Sequence, residues 1–311
     1  MIIFNSLDEI KNIDETVIAL GNFDGVHRGH QEIIAKTVKS AEAAGLKSAV
    51  FTFSNHTRTV IKGAPQVKNI QYQHERAEKI EALGVDYLFN IPFTEEIMKM
   101  SPEAFVKDIL VDKMRIKEAY CGFNYRFGSK ASGTPETLMR EGMKQGFGIH
   151  VQEAYEIDGI VVSSTEIRKY IAEGNMEACN KFLGRVYTLD GVVVEGNRLG
   201  RTIGFPTCNI PADSSMAIPP NGVYITTCTI GDREYPSITN VGVKPTVGTY
   251  DVNIETHIFN FNEDVYGEKI QVHFIKQTRP EMKFDGVEEL KSQIEKDCIQ
   301  ARSYHREKTL I

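Results

Sequence analysis

The sequence predicts two domains: an α/β domain whose parallel sheet is covered by helices on both faces, then an antiparallel β-barrel with a terminal helix. Three observations predict it. The 311-residue chain is 41% hydrophobic and 25% charged, enough for two packed cores of ordinary globular composition. As far as about residue 154, short apolar or β-branched runs alternate with segments of helical periodicity, the pattern of a parallel sheet. After Arg185 the texture changes to β runs separated by turns, the pattern of a compact barrel. The boundary falls near residue 184, giving domains 1–184 and 185–311.

The strand runs of the first domain are Thr16–Leu20, Ser48–Phe53, Asp86–Ile91, Glu118–Gly122 and Ile149–Glu153. Helical periodicity occupies segments near 30–44, 74–83, 102–114 and 135–145. Ser101-Pro102 and Thr134-Pro135 each set a capping hydroxyl before a proline at the first helical position. Two short helices near 164–173 and 176–183, closed by Gly174 and Gly184, lead into the second domain. Its strand runs are Val186–Glu195, Val223–Ile230, Tyr235–Val241, Ile254–Phe261 and Ile270–Ile275. Asp285-Gly-Val-Glu288 then reads as a capping box, and Val287, Leu290 and Ile294 form one stripe of a final helix that packs on the barrel.

Composition excludes several function classes. A net charge of −6, with positive residues dispersed, gives no general attraction for nucleic acid, so any phosphate site must be local. No run approaches the roughly 20 apolar residues that cross a bilayer, and the N-terminus lacks a basic segment followed by an apolar one. A cytoplasmic protein without membrane or nucleic-acid partners is expected. Its five cysteines are widely spaced with no Cys-x-x-Cys, so reduced thiols are expected rather than a disulfide framework or a zinc knuckle.

Residues 18–34 run from an apolar strand through a glycine-punctuated turn into an apolar-striped helix, with His27 and His30 at the junction. Gly21, Gly25 and Gly29 let the backbone turn tightly, and the first free N–H groups of a helix after His30 aim a positive dipole end at the turn. A phosphate fits there, with the two imidazoles as donors to developing charge. The alternatives are a metal pair or two helix-start histidines without a role; no third ligand stands at zinc-like spacing. The glycines fall every fourth residue and do not make the Gly-x-Gly-x-x-Gly of a dinucleotide-binding dehydrogenase. Gly122-Phe-Asn-Tyr-Arg-Phe-Gly128 puts Asn124 in a turn at the carboxyl end of a strand, where open α/β sheets bind ligands. Ser163-Ser-Thr-Glu-Ile-Arg168 is a capping box with an arginine, and whether Ser164, Thr165 and Arg168 also face a phosphate is open.

In the second domain, Gly200-Arg-Thr-Ile-Gly-Phe-Pro-Thr-Cys-Asn209 combines a flexible cationic flap with two neutral oxygen donors. Thr207 and Asn209, two apart on an extended segment, point the same way, and hard oxygens suit Mg²⁺. In Ile254-Glu-Thr-His-Ile-Phe-Asn-Phe261, alternation puts Glu255, His257, Phe259 and Phe261 on one face. A carboxylate among aromatics is costly to bury unless it opens onto a site, which makes Glu255 a candidate general base; an edge-strand glutamate in water is the alternative.

The stretch Gly-Asn-Phe-Asp-Gly-Val-His-Arg-Gly-His resembles the His-x-Gly-His nucleotidyltransferases in the form seen in prokaryotic flavin-adenylating enzymes. With the Asn124 and Ser163–Arg168 segments, the Gly-Phe-Pro-Thr-x-Asn motif, Asn221-Gly-Val-Tyr224, Asn240-Val-Gly-Val-Lys-Pro-Thr246 and Arg279-Pro-Glu-Met-Lys-Phe284, nearly the whole chain resembles the bifunctional riboflavin kinase/FAD synthetase family. That resemblance implies a Rossmann-like nucleotidyltransferase domain followed by a riboflavin kinase barrel. It implies ATP-dependent phosphorylation of riboflavin to FMN with release of ADP, then adenylylation of FMN to FAD with release of pyrophosphate, both with Mg²⁺. By the same resemblance His27 and His30 stabilise the adenylyl transition state, Gly21, Asn22, Asp24, Gly29, Asn124 and Arg168 hold the nucleotide, and Ser164 and Thr165 contact its phosphates. In the barrel, Gly200, Arg201, Gly204 and Tyr224 contact nucleotide, Thr207 and Asn209 carry the metal, and Glu255 deprotonates the riboflavin 5′-hydroxyl. His56, Arg279 and Phe284 lie near flavin.

Three positions depart from the family pattern: Ser54-Asn-His-Thr57 lacks the flanking proline, Cys208 replaces alanine, and Glu195 replaces a histidine before the flap, predicting an altered flap with activity retained. Two other functions are weighed: a monofunctional kinase whose first domain only binds nucleotide or flavin, and a flavin-sensing regulator. A homo-oligomer is left open.

Overall fold

A computed structural model describes residues 1–55, 66–196, 199–246 and 249–309. The chain divides into two compact units, Met1–Ser164 and Thr165–Ile311. In the first, the order is β1 (Ile2–Phe4), β2 (Thr16–Leu20), α1 (Arg28–Ala44), β3 (Lys47–Phe53), α2 (Gln73–Glu81), β4 (Tyr87–Ile91), α3 (Glu95–Lys99), α4 (Pro102–Ala104), β5 (Ile116–Gly122), α5 (Pro135–Gln145) and β6 (Gly148–Gln152). A hairpin, β7 (Glu156–Ile157) and β8 (Ile160–Val161), follows.

The sheet order is β1-β4-β3-β2-β5-β6, every pair parallel. Alternation along the strands feeds two cores, one on each face. Ile18, Leu20, Ala49, Phe51 and Phe89 face one, while Ala19, Val50 and Leu88 face the other with Ile33 and Ile34 of α1 and Ile80 of α2. Strands buried on both faces read as unbroken apolar runs, which is why they are legible. The chain steps from β2 outward through β3 to β4, then returns to β5 on the other side of β2. This reversal opens a crevice at the carboxyl ends of β2 and β5, where the glycine turn and the Asn124 turn emerge.

Local chemistry sets the helix ends. Thr134 caps α5 by accepting from the Thr137 amide, with Pro135 in the first turn, and Ser101 caps α4 in the same way. The single helix expected over 102–114 is replaced by the short α4 and a π-helical stretch, Phe105–Val111. There the Asp112 amide donates to the Lys107 carbonyl and the Met114 amide to the Ile109 carbonyl, one residue wider than an α turn, an insertion that periodicity does not register. Edge strand β1 is absent from the sequence expectation because its three residues carry no usable period.

The second unit contains most of α6 (Ser164–Ala172), α7 (Met176–Leu183), β9 (Tyr187–Val192), α8 (Leu199–Thr202), β10 (Cys208–Pro211), β11 (Gly222–Ile230), β12 (Arg233–Thr246), β13 (Thr249–Ile258), β14 (Lys269–Pro280) and α9 (Val287–Thr309). Its antiparallel sheet runs β10-β13-β12-β11-β14-β9. The Val194 amide donates to the Asn209 carbonyl at 2.8 Å, joining the two ends into a barrel. Inside, Thr226 Oγ1 lies 2.7 Å from Ser237 Oγ and 2.8 Å from Thr239 Oγ1, which is 2.9 Å from Thr256 Oγ1. All four residues are buried, so the row satisfies hydroxyls that would otherwise be desolvated without a partner.

Helix α9 docks through Ile294, Cys298, Ala301 and Tyr304 against Val223, Ile225, Ile238 and Phe259. Val287 is 51% exposed, so the docking stripe begins a turn or two later than the sequence pattern predicts. The Asp285 amide is met by the Glu289 carboxylate, not by Glu288, because the helix opens at Val287. Phe261 also leaves the expected face: β13 ends at Ile258 and Asn260 has φ 57°, which breaks the alternation after Phe259. Among the described residues no helix is long and apolar enough to cross a membrane.

Thr226→Val should leave the Ser237 and Thr239 hydroxyls short of a partner and destabilise the second unit by about 1–3 kcal/mol. Denaturant titration followed by circular dichroism reads this as an earlier transition; an unmoved midpoint would mean that the hydroxyl row contributes nothing.

Candidate active sites

The first site is built from the turn that leaves β2. Phe23 (φ 48°) and Val26 (φ 36°) hold left-handed backbone around Gly25 (φ 85°), whose absent Cβ would press on Ile70 Cγ2 at 3.1 Å. Neighbouring groups fasten the turn. Thr52 Oγ1 and Arg76 donate to the Asn22 carbonyl at 2.9 and 3.2 Å, Gln71 Nε2 donates to the Phe23 carbonyl at 3.1 Å, and the Ile70 amide donates to Asp24 Oδ1 at 3.0 Å. Ser164 Oγ donates to the Asp24 carbonyl at 2.8 Å.

The turn delivers His27 to the N-cap of α1, where Nδ1 accepts from the His30 amide at 3.3 Å. This corrects the expectation of free helix amides after His30: the helix opens at Arg28 and the His30 N–H serves the cap. An Nδ1 that accepts leaves the imidazole proton on Nε2. The two rings stack with centroids 3.5 Å apart, and Phe23 meets His30 edge-on at 5.1 Å. Gly29 packs beside the His27 ring, while Gly21 begins the turn and Asn22 is exposed. Asn124 is exposed just past β5, its Oδ1 next to Gly122. Thr165 is exposed and Arg168 half-buried on the first turns of α6. His56 lies outside the described residues.

The second site is a row across the barrel wall. Asn209 on β10 pairs with Glu255 on β13, and Glu255 with Asn240 on β12. Asn253 Nδ2 donates to both Asn209 Oδ1 and Glu255 Oε1, each at 2.9 Å, which fixes amide and carboxylate side by side. Asn253 is not among the residues the sequence points to, because it lies one residue before the Ile254–Phe261 run; the same alternation, extended by one residue, puts it in phase with Glu255 and His257.

Thr207 is half-buried just before β10, ahead of Asn209. Gly196 cradles Asn209, since a Cβ there would sit 2.6 Å from its amide nitrogen. The donors are hard oxygens, and among the described residues no cluster of three or more His, Cys, Asp or Glu forms a metal cage. A Mg²⁺ ion completed by waters and nucleotide phosphates needs no such cage, so the donor set fits it. The stretch from Gly200, expected to carry a flexible flap, opens within the short helix α8, and the Phe205 amide closes back on the Gly200 carbonyl at 2.7 Å. Gly204 is exposed, and the Arg201 side chain lies outside the described residues.

Tyr224 does not join the row. It is fully buried on the opposite face with Phe274, its hydroxyl donating to the Pro220 carbonyl at 2.6 Å, so the nucleotide contact expected of it is corrected to a core position. Arg279 shares the row's register through Val223, but its guanidinium grips Asp297 of α9 at 2.9 Å and lies 5.7 Å from the Phe284 ring. His257 sits between Phe205 and Phe259 and holds the Pro206 carbonyl through Nδ1 at 2.7 Å, bracing the segment that carries Thr207.

A parallel α/β unit with a clamped anion-type turn at its switch point, followed by a barrel with an amide–carboxylate row, defines a two-part phosphate-transfer enzyme. Residues 9–166 match the FAD synthetase family model and residues 183–305 the riboflavin kinase model. The chain is 35% identical to the bifunctional riboflavin kinase/FMN adenylyltransferase of Bacillus subtilis, over 93% of this chain and 92% of that one. The protein of the same name from Listeria monocytogenes is 36% identical, over 96% and 94%. A crystal structure described as a macrolide-efflux protein from Streptococcus pneumoniae superposes with a TM-score of 0.88 at 30% identity, covering 97% of this chain and 98% of that one. The chain belongs to the bifunctional riboflavin kinase/FMN adenylyltransferase family.

Burial, opposed by the bond to Pro206 and reinforced by Arg302, holds His257 below its ordinary value of 6.5. The unfolded chain therefore takes up this proton first as pH falls below 6.5, and the second unit should lose stability there. His257→Gln should flatten that slope in denaturation midpoints measured from pH 7.5 to 5; an unchanged slope would exclude His257 as its source.

Proposed function

We propose that residues 185–311 phosphorylate riboflavin to FMN and residues 1–184 adenylylate FMN to FAD, with ATP as donor in both reactions. The functional boundary is placed near residue 184. The observation that carries the kinase reading is the Asn209–Asn253–Glu255 network, which sets a carboxylate beside hard oxygen donors. Glu255 takes the proton of the riboflavin 5′-hydroxyl as that oxygen attacks the γ-phosphorus of ATP and ADP leaves. Thr207 and Asn209 would hold Mg²⁺, which when bound neutralises charge on the nucleotide phosphates. Arg279 and Phe284 border the flavin, with Gly200, Arg201 and Gly204 over the nucleotide.

In the domain read as residues 1–184, an FMN phosphate oxygen attacks the α-phosphorus of ATP and pyrophosphate leaves. His27 and His30 donate to charge developing there, Gly21, Asn22, Asp24, Gly29, Asn124 and Arg168 hold the nucleotide, and Ser164 and Thr165 meet its phosphates. His56 belongs with the flavin. The stacked imidazoles on a capped helix start support this reading. A cytoplasmic location accords with substrates of this kind.

An HPLC time course with riboflavin, ATP and Mg²⁺ tests the whole: FMN must rise first and FAD after it. FMN without FAD would favour a monofunctional kinase, and flavin binding without ATP consumption a sensor. Glu255→Gln should cut FMN formation by roughly two to four powers of ten while FAD still forms from supplied FMN. His30→Ala should do the reverse, losing about two to three powers of ten in adenylyl transfer alone. Equal loss of both activities in either variant would refute the separation of sites.

A further inference from the structure

Arg76 has no part in the chemistry described above, yet it is buried to 7% exposure at the ligand end of the first sheet. Its Nη2 donates to the Phe53 carbonyl at 2.7 Å, to Asn90 Oδ1 at 3.0 Å and to Gln73 Oε1 at 2.5 Å, and its Nη1 donates to the Asn22 carbonyl at 3.2 Å. One guanidinium thus ties together the turn after β2, the last residue of β3, a residue of β4 and its own helix α2. With Asn22, Asp24, Phe53, Asn69 and Gln71 it lines a cavity beside the turn.

Taking a guanidinium out of water is costly even after relaxation, and an apolar side chain could fill the volume without that cost. Anchoring α2 therefore does not account for it. What an apolar residue cannot do is hold two backbone carbonyls at the carboxyl ends of adjacent strand segments in one planar fork. The Asn22 carbonyl matters most, because its peptide is the one that enters the left-handed Phe23. Carbonyl and N–H of a peptide point in opposite directions, so a carbonyl pinned by Arg76 and Thr52 sets the plane on which the turn, and after it the His27 cap, is built. Burial lowers the guanidinium to about 10, which leaves it charged at neutral pH.

We propose that Arg76 is a positioning residue for adenylyl transfer: its fork holds the Asn22 and Phe53 carbonyls so that the strained turn presents His27 and His30 in reactive register. The assignment rests on the reading of the first unit as the adenylyl-transfer site.

The test compares Arg76→Lys, which keeps the charge and loses the fork, with Arg76→Met, which loses both, in the full chain. Adenylyl transfer from supplied FMN should lose about ten- to a hundredfold in kcat in both variants, as small misplacements of reacting groups do. KM for ATP and FMN should stay within about threefold, and riboflavin phosphorylation in the same preparations should be unchanged. A native kcat in Arg76→Lys would show that charge alone suffices and overturn the proposal. So would loss of the first unit's thermal transition in both variants, which would make Arg76 a purely structural residue. If the unaltered chain made no FAD, the underlying reading would fail instead, a result distinct from either.

Discussion

The first unit depends on one backbone constraint: between β2 and α1 the chain must reverse within a few residues using left-handed conformations at Phe23 and Val26, which L side chains rarely adopt. Each such residue costs of order 1–3 kcal/mol and persists only where its surroundings over-determine it. Hydrogen bonds from Thr52, Gln71, Ile70, Arg76 and Ser164 supply that determination. The cap of α1 and the His27–His30 stack are downstream of it, since both require the chain to arrive at Arg28 from one direction. The sheet beneath is plain by comparison, an apolar slab whose role is to bring β2, β3 and β5 to one edge.

The second unit reaches precision differently. Its site is made by sharing residues between architecture and chemistry. Asn209 closes the barrel through its carbonyl while its side chain joins Asn253 and Glu255. His257, one alternation step from Glu255, braces Pro206 from below. A change in the barrel seam therefore moves the candidate metal ligands and the candidate base together. Arg279 follows the same economy: it shares the row's register, but its guanidinium docks α9 through Asp297.

Family membership and domain order were readable in the sequence because the motifs are local: the glycine turn, Gly-Phe-Pro-Thr-x-Asn and the Glu255 strand each fit within about a dozen residues. The parallel sheet was readable because doubly buried strands must be apolar throughout. Legibility stopped where a property depends on a partner far along the chain. Tyr224 looks like a site residue beside Asn221-Gly-Val, yet its pairing with Thr239 puts it on the inner face, against Phe274. Arg76 looks like any helix-surface arginine, and only the side-by-side pairing of β2, β3 and β4 brings three oxygens from their ends around it.

The sequence by itself thus determined the two architectures, the motifs that carry chemistry and the order in which they occur, because period, turn composition and motif spacing are short-range properties. Tertiary structure alone decided which polar groups share a hydrogen-bond network, how the turn after β2 is held, and which face Tyr224, Phe261 and Val287 present. Those depend on register and closure between strands distant in sequence, and a shift of one residue in pairing moves a side chain to the other face.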